Sequence, residues 1–102
     1  MDQVTIPKTI HRVLSNITGE NRADVALELA TKDLLRLKLK EVEEQIKQFE
    51  ARHKMEFADF KQAWISGTIA NQHSYNIEKD YWEWEAATGD EKKYREMLDE
   101  LP

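Results

Sequence analysis

Cysteine is absent from this chain, so no disulfide framework can hold it, and a reducing compartment suits it. Glycine (three residues) and proline (two) are scarce, which argues against a many-stranded sheet, because each strand reversal draws on such residues. No apolar run approaches the roughly 18 residues that a membrane span requires. The opening MDQVTIPKTIHR has neither the basic flank nor the apolar core of a signal peptide. A cytoplasmic protein without membrane contact is expected. Catalytic patterns are missing too. His11, His53 and His73 show no metal-ligand spacing, and no nucleophile motif surrounds Ser15, Ser66 or Ser74. The chain therefore reads as a binding protein, not an enzyme, with no cofactor, no metal and no small-molecule substrate.

Aromatic rings are lacking from the first 48 positions. All nine follow: Phe49, Phe57, Phe60, Trp64, Tyr75, Tyr81, Trp82, Trp84 and Tyr94. Charge is divided in a similar way. Residues 1–74 hold eleven acids and eleven bases, whereas residues 75–102 hold nine acids and four bases, which is the whole net charge of −5. The amino-terminal 40 residues carry seven bases and five acids, or +2. An aliphatic, near-neutral front thus precedes an acidic back rich in large rings. Acids and rings together suit a surface that covers something basic and partly apolar.

The expected fold class is mainly α. Val4-Thr5-Ile6 alternates apolar and polar before Pro7, consistent with a short strand or an arm. Ile10, Val13, Leu14 and Ile17 form a helical stripe from Lys8, and Gly19 is placed to end it. Asn21 offers an N-cap, with Asp24 at capping-box spacing. No Gly or Pro follows until after about His53, so a long central helix is predicted. Along it Leu35, Leu39, Val42, Ile46 and Phe49 recur at heptad spacing for about two heptads. Two readings stay open: a helix packed within the chain, or an intermolecular coiled coil.

Lys54-Met55-Glu56 interrupts the pattern, and Phe57, Phe60 and Trp64 then predict a short helix ending by Gly67. Ser74 can cap a last helix from Tyr75, which is read as continuous through Gly89 in preference to two helices meeting there. Two or three helices are thus expected after the long one. Within Glu78-Lys79-Asp80-Tyr81-Trp82-Glu83-Trp84-Glu85, helical geometry sets Trp82 about 160° from Trp84. Either Tyr81 and Trp84 pack on the long helix with the acids in water, or the rings and acids form a partner surface.

Residues 3–35 resemble a ribbon-helix-helix unit, through Val4-Thr5-Ile6-Pro7, the stripe Ile10/Val13/Leu14 and Gly19-Glu20-Asn21-Arg22-Ala23-Asp24-Val25. That resemblance implies paired strands from two chains, with Val4 and Ile6 facing inward. Gln3 and Thr5 would then read DNA, and Asn21 and Arg22 would lie near phosphate. The stretches FEARHKMEFADFKQAW (49–64) and DYWEWEA (80–86) are similar to antitoxins of prokaryotic toxin–antitoxin pairs.

Together the resemblances imply residues 1–36 as a dimerising, DNA-binding part and residues 37–102 as a helical partner-binding part. The protein is then expected to be an antitoxin-type homodimer that neutralises a cognate toxin, with repression at a DNA operator as a corollary. Dimerisation would use Val4, Ile6, Leu35, Leu39, Val42, Ile46 and Phe49. The toxin would meet Phe57, Phe60, Trp64, Tyr75, Asp80, Tyr81, Trp82, Glu83, Trp84 and Glu85. The rival expectations are a helical scaffold whose aromatics are all internal, and a plain ribbon-helix-helix repressor.

Overall fold

A computed structural model describes residues 5–102. Four helices follow in order: α1 (Lys8–Thr18), α2 (Ala23–His53), α3 (Phe57–Ile65) and α4 (Tyr75–Glu100). Among the described residues there is no strand. Thr5 and Ile6 are irregular up to Pro7, whose ring lacks the N–H that a ladder would use. The inter-chain ribbon expected of Val4-Thr5-Ile6 is therefore not seen at Thr5 and Ile6, while Val4 and Gln3 lie outside the described residues.

Helix boundaries follow local chemistry closely. Gly19 ends α1 at φ 72°, and its N–H donates to the Ser15 carbonyl at 2.8 Å. The start of α2 differs from the expected Asn21 cap. Arg22 occupies the N-cap position and makes no side-chain cap. Arg22 instead pairs with Asp24 at 2.8 Å, and the Asn21 carbonyl accepts from His11 Nε2 at 3.0 Å. Ser74 caps α4 as expected, accepting from the Ile77 N–H at 3.4 Å. α4 runs through Gly89 unbroken, since one glycine costs only about 1 kcal/mol in a helix of 26 residues held by packing.

α2 is the axis of the molecule. At 1.5 Å per residue its 31 residues extend about 46 Å. α4 lies antiparallel against its carboxy-terminal part: Phe49 stacks on Trp84, Glu43 meets Arg95, and Leu34 lines one groove with Leu101. α1 folds back on the opposite end of α2 through the turn at residues 19–22. Two helical hairpins thus share one long helix, which runs through position 36 without a break. The result is elongated, 57 × 26 × 19 Å, with a radius of gyration of 19.6 Å against about 13 Å for a compact chain of this length.

The seam Leu35–Leu39–Val42–Ile46–Phe49 is used within the chain. Val42 and Phe49 are buried, Ile46 packs on the core, and Leu35 and Leu39 are half-buried. α4 takes the place of the second chain expected there, because its apolar face (Tyr81, Trp84, Ala87) supplies the covering surface. Of the two readings left open, the helix packed within the chain describes how Val42 and Phe49 are covered.

Lys54 ends α2 at φ 55°, a left-handed conformation that its Cβ disfavours by about 1 kcal/mol. Lys54→Gly is expected to raise the midpoint of urea denaturation by a matching amount. A lower midpoint would show that the Lys54 side chain stabilises the turn by more than its backbone strains it.

Candidate functional site

The aromatic end of the molecule is built where the α2 carboxy-terminus, α3 and the first half of α4 meet. Phe49, Phe60, Tyr81 and Trp84 form a closed cluster, with Ile46, Phe57, Trp64, Ile69 and Ile77 packed against it. Trp84 is fully sealed. Its ring stacks on Phe49 at 5.6 Å and 18°, and lies 5.0 Å from Phe60 and 5.4 Å from Phe57. Trp64 stacks on Tyr81 at 4.4 Å. Such pairs contribute about 0.5–1.5 kcal/mol each beyond the area they bury.

This placement divides the residues expected to meet a partner. Phe60, Tyr81, Trp84 and Asp80 are buried in the chain's own core, so they are removed from the partner surface, and Phe57 and Trp64 are half-buried. The cause is helical geometry: α4 turns the Tyr81/Trp84 face onto α2, and α3 turns its Phe57/Phe60 face onto Tyr81 and Trp84. Trp82 lies on the other side of α4, 58% exposed, and Tyr75 is 77% exposed. Tyr75 and Trp82 are seven residues apart, two turns, and therefore share one face. Glu83 is exposed, and Glu85 is half-buried with Oε2 at 3.5 Å from the Tyr81 hydroxyl. The burial of Tyr81, with the Glu85 charge beside it, raises the phenol pKa.

A polar constellation sits at the edge of the cluster. Arg52 Nη1 donates to both carboxylate oxygens of Asp80, at 2.7 and 2.8 Å, and His53 Nε2 donates to Oδ2 at 2.8 Å. The His53 ring lies between Phe60 (4.6 Å) and Trp84 (5.6 Å, 19°). An open cleft of about 570 Å³ adjoins these groups, lined also by Asn76, Ile77 and Lys79. In the sequence His53 shows no ligand spacing and marks only the end of the long helix. It is instead an anchor for Asp80, 27 residues away. No local signal links residues so separated; only the antiparallel register of α2 and α4 brings them together.

Burial would raise the Asp80 pKa, but the hydrogen bonds from Arg52 and His53 outweigh it and hold the group below its ordinary value of 3.8. Both carboxylate oxygens are occupied by these donors, so the arrangement ties α4 to the end of α2. Arg52 and His53 also complement the negative end of the α2 dipole. Among the described residues no group of three His, Cys, Asp or Glu side chains could hold a metal ion, and no helix is long and apolar enough to cross a membrane.

At the other end lie the residues expected to contact DNA, of which Gln3 is outside the described residues. Thr5, Asn21 and Arg22 are exposed, and the Arg22 guanidinium is paired with Asp24 in the first turn of α2. A carboxylate there weakens the attraction of that helix end for phosphate. Compared with protein-family models, curated proteins and solved structures, the chain matches none.

Asp80→Asn is expected to destabilise the protein at pH 7 by about 2 kcal/mol, because charged hydrogen bonds are lost. A carboxyl with a depressed folded pKa contributes stability that is full above its unfolded value and is lost as the pH falls through the folded value. The difference between wild type and variant should therefore shrink below pH 3.8. Urea denaturation at pH 7 and pH 3 measures it, and an equal difference at both would refute the ionised tie.

Proposed function

We propose that the protein is a non-catalytic, antitoxin-type regulator that binds a basic partner protein through the outward face of α4. The observation that carries this reading is Trp82, 58% exposed between two sealed rings. Exposed indoles are favoured anchors at interface centres. Tyr75 extends the same face, Glu78 lies between them at i+3 from Tyr75, and Glu83 is exposed beside Trp82. The segment they occupy carries the whole net charge of the chain. A partner that is basic and partly apolar is complementary to it in both respects.

Toxins that act on RNA would present such a surface, with the carboxylates of α4 standing where phosphates bind. The proposed contact set keeps Tyr75, Trp82 and Glu83 of the residues the sequence implies and adds Glu78, with the half-buried Phe57, Trp64 and Glu85 at its margin. Operator binding is left out of the proposal, because Arg22 is neutralised by Asp24.

A scaffold reading draws on a different observation, the sealed core of Phe49, Phe60, Tyr81 and Trp84. The two readings differ over the outer face only. The product of the adjacent reading frame, co-expressed with this chain, is expected to co-purify with it. The pair Tyr75→Ala and Trp82→Ala is expected to weaken that complex about thirty-fold, the effect of losing a hot spot of about 2 kcal/mol. In the free protein, Trp84 should emit in the blue and Trp82 in the red, with only the red component moving on binding. Retention of full affinity by the double variant would favour the scaffold.

A further inference from the structure

The amino-terminal hairpin has more apolar surface than its two helices can cover. α1 contains no buried residue, although it carries a well-formed apolar stripe. Its half-buried positions are His11, Leu14, Ser15 and Thr18, while Ile10, Val13 and Ile17, at i, i+3 and i+7, stand 51%, 43% and 74% exposed. On α2, Leu27 and Leu34 (also seven apart) form a second uncovered stripe, 39% and 57% exposed. Leu34 continues into an open apolar groove of about 410 Å³, lined also by Leu35, Tyr94, Met97 and Leu101. Only Ala26 is buried in this half of α2. α4 ends abreast of Thr31 and Leu34, so α1 is the main helical neighbour of residues 23–30 among the described residues. A two-helix layer with stripes on both members is not a closed architecture; it buries its core by adding another layer.

We infer that the covering layer is the same hairpin of a second copy, so that α1 and the first third of α2 from two chains form an antiparallel four-helix bundle. Area supports this. The accessible surface of 7840 Å² exceeds by about 1800 Å² the roughly 6000 Å² of a compact protein of 12.0 kDa. A stable dimer requires about 800 Å² from each partner. Charge supports it as well. Residues 1–40 carry seven bases and five acids, +2, and can meet their own image with little repulsion. Residues 41–102 carry eight bases and fifteen acids, −7, and are held at the two far ends of such a pair. Length agrees too, since α1 is 11 residues, about 17 Å, and the uncovered part of α2 is a similar span.

This interface is distinct from the α4 face and does not depend on the function proposed for it. Sedimentation equilibrium of the full chain across micromolar to hundred-micromolar concentrations tests it. The wild type is expected at twice 12.0 kDa, and Val13→Asp with Ile17→Asp at 12.0 kDa, with the blue Trp84 emission retained. Trp82→Ala is expected to stay dimeric. The inference is overturned by a wild type that stays at 12.0 kDa throughout, which would leave the face to another partner, by a dimeric double variant, or by a monomeric Trp82→Ala. A second measurement needs no variant. The Tm of the wild type should rise with protein concentration, as for any assembly that binds only the folded state, and a constant Tm overturns the dimer.

Discussion

The stack of Phe49 on Trp84 sets the register on which the remaining structure depends. Two rings 5.6 Å apart and nearly parallel, sealed by Phe57 and Phe60, admit little sliding of α4 along α2. A shift of one residue on α4 would turn Trp84 by 100° out of the core and bring Glu83 or Glu85 toward it. Once the stack is made, the other long-range contacts follow at the right distances. Asp80 falls beside Arg52 and His53, one turn toward the hairpin's closed end, and Arg95 falls beside Glu43, three turns the other way. The acid–base contacts therefore select the register that the rings stabilise.

The same arrangement makes stability uneven along the molecule. The carboxy-terminal two thirds contain the aromatic cluster and the Asp80 tie, whereas the amino-terminal hairpin buries one alanine. Burying a large aliphatic side chain is worth about 1.5–3 kcal/mol, so the exposed Ile10, Ile17 and Leu34 represent stabilisation not realised within one chain. The first hairpin belongs to the low-stability end of the structure until something covers it. That something need not touch the aromatic end, because α2 separates the two by most of its length.

Much of this was legible in the sequence where the signal was local. The stripe Ile10/Val13/Leu14/Ile17 with Gly19, the uninterrupted run to His53, the short Phe57–Phe60–Trp64 helix and the Ser74 cap each combine periodicity with a terminating residue, and each element formed. The opposed directions of Trp82 and Trp84 followed from helical geometry alone. What stayed hidden depends on which helix covers which. A heptad seam states that Val42 and Phe49 will be covered, not by whom, and α4 proved to be the cover. Asn21 and Asp24 had the spacing of a cap, yet Arg22 took Asp24 by charge and α2 began later. His53 offered no cue to Asp80, because pairing across 27 residues is written in the register and not in either residue's neighbours.

Four consecutive turns of α4 illustrate how one helix divides into a packed face and an exposed face. Asp80, Tyr81, Trp84 and Ala87 recur at three- and four-residue steps and are buried, while Tyr75, Lys79, Trp82, Ala86 and Gly89 recur in the same way and are exposed. The inner set is fixed by packing, where a lost ring leaves a cavity; the outer set is under no such constraint. Trp82, on the outer set, meets Tyr81 edge-on at 5.0 Å yet leaves 58% of its surface to water. In the proposed function, its placement on the segment that carries the net charge, with Glu83 and Lys79 beside it, suits a partner that is basic and partly apolar. The stripe of α1 has a different chemistry, near-neutral and aliphatic. One chain thus separates two kinds of exposed apolar surface by sequence composition, and α2 separates them in space.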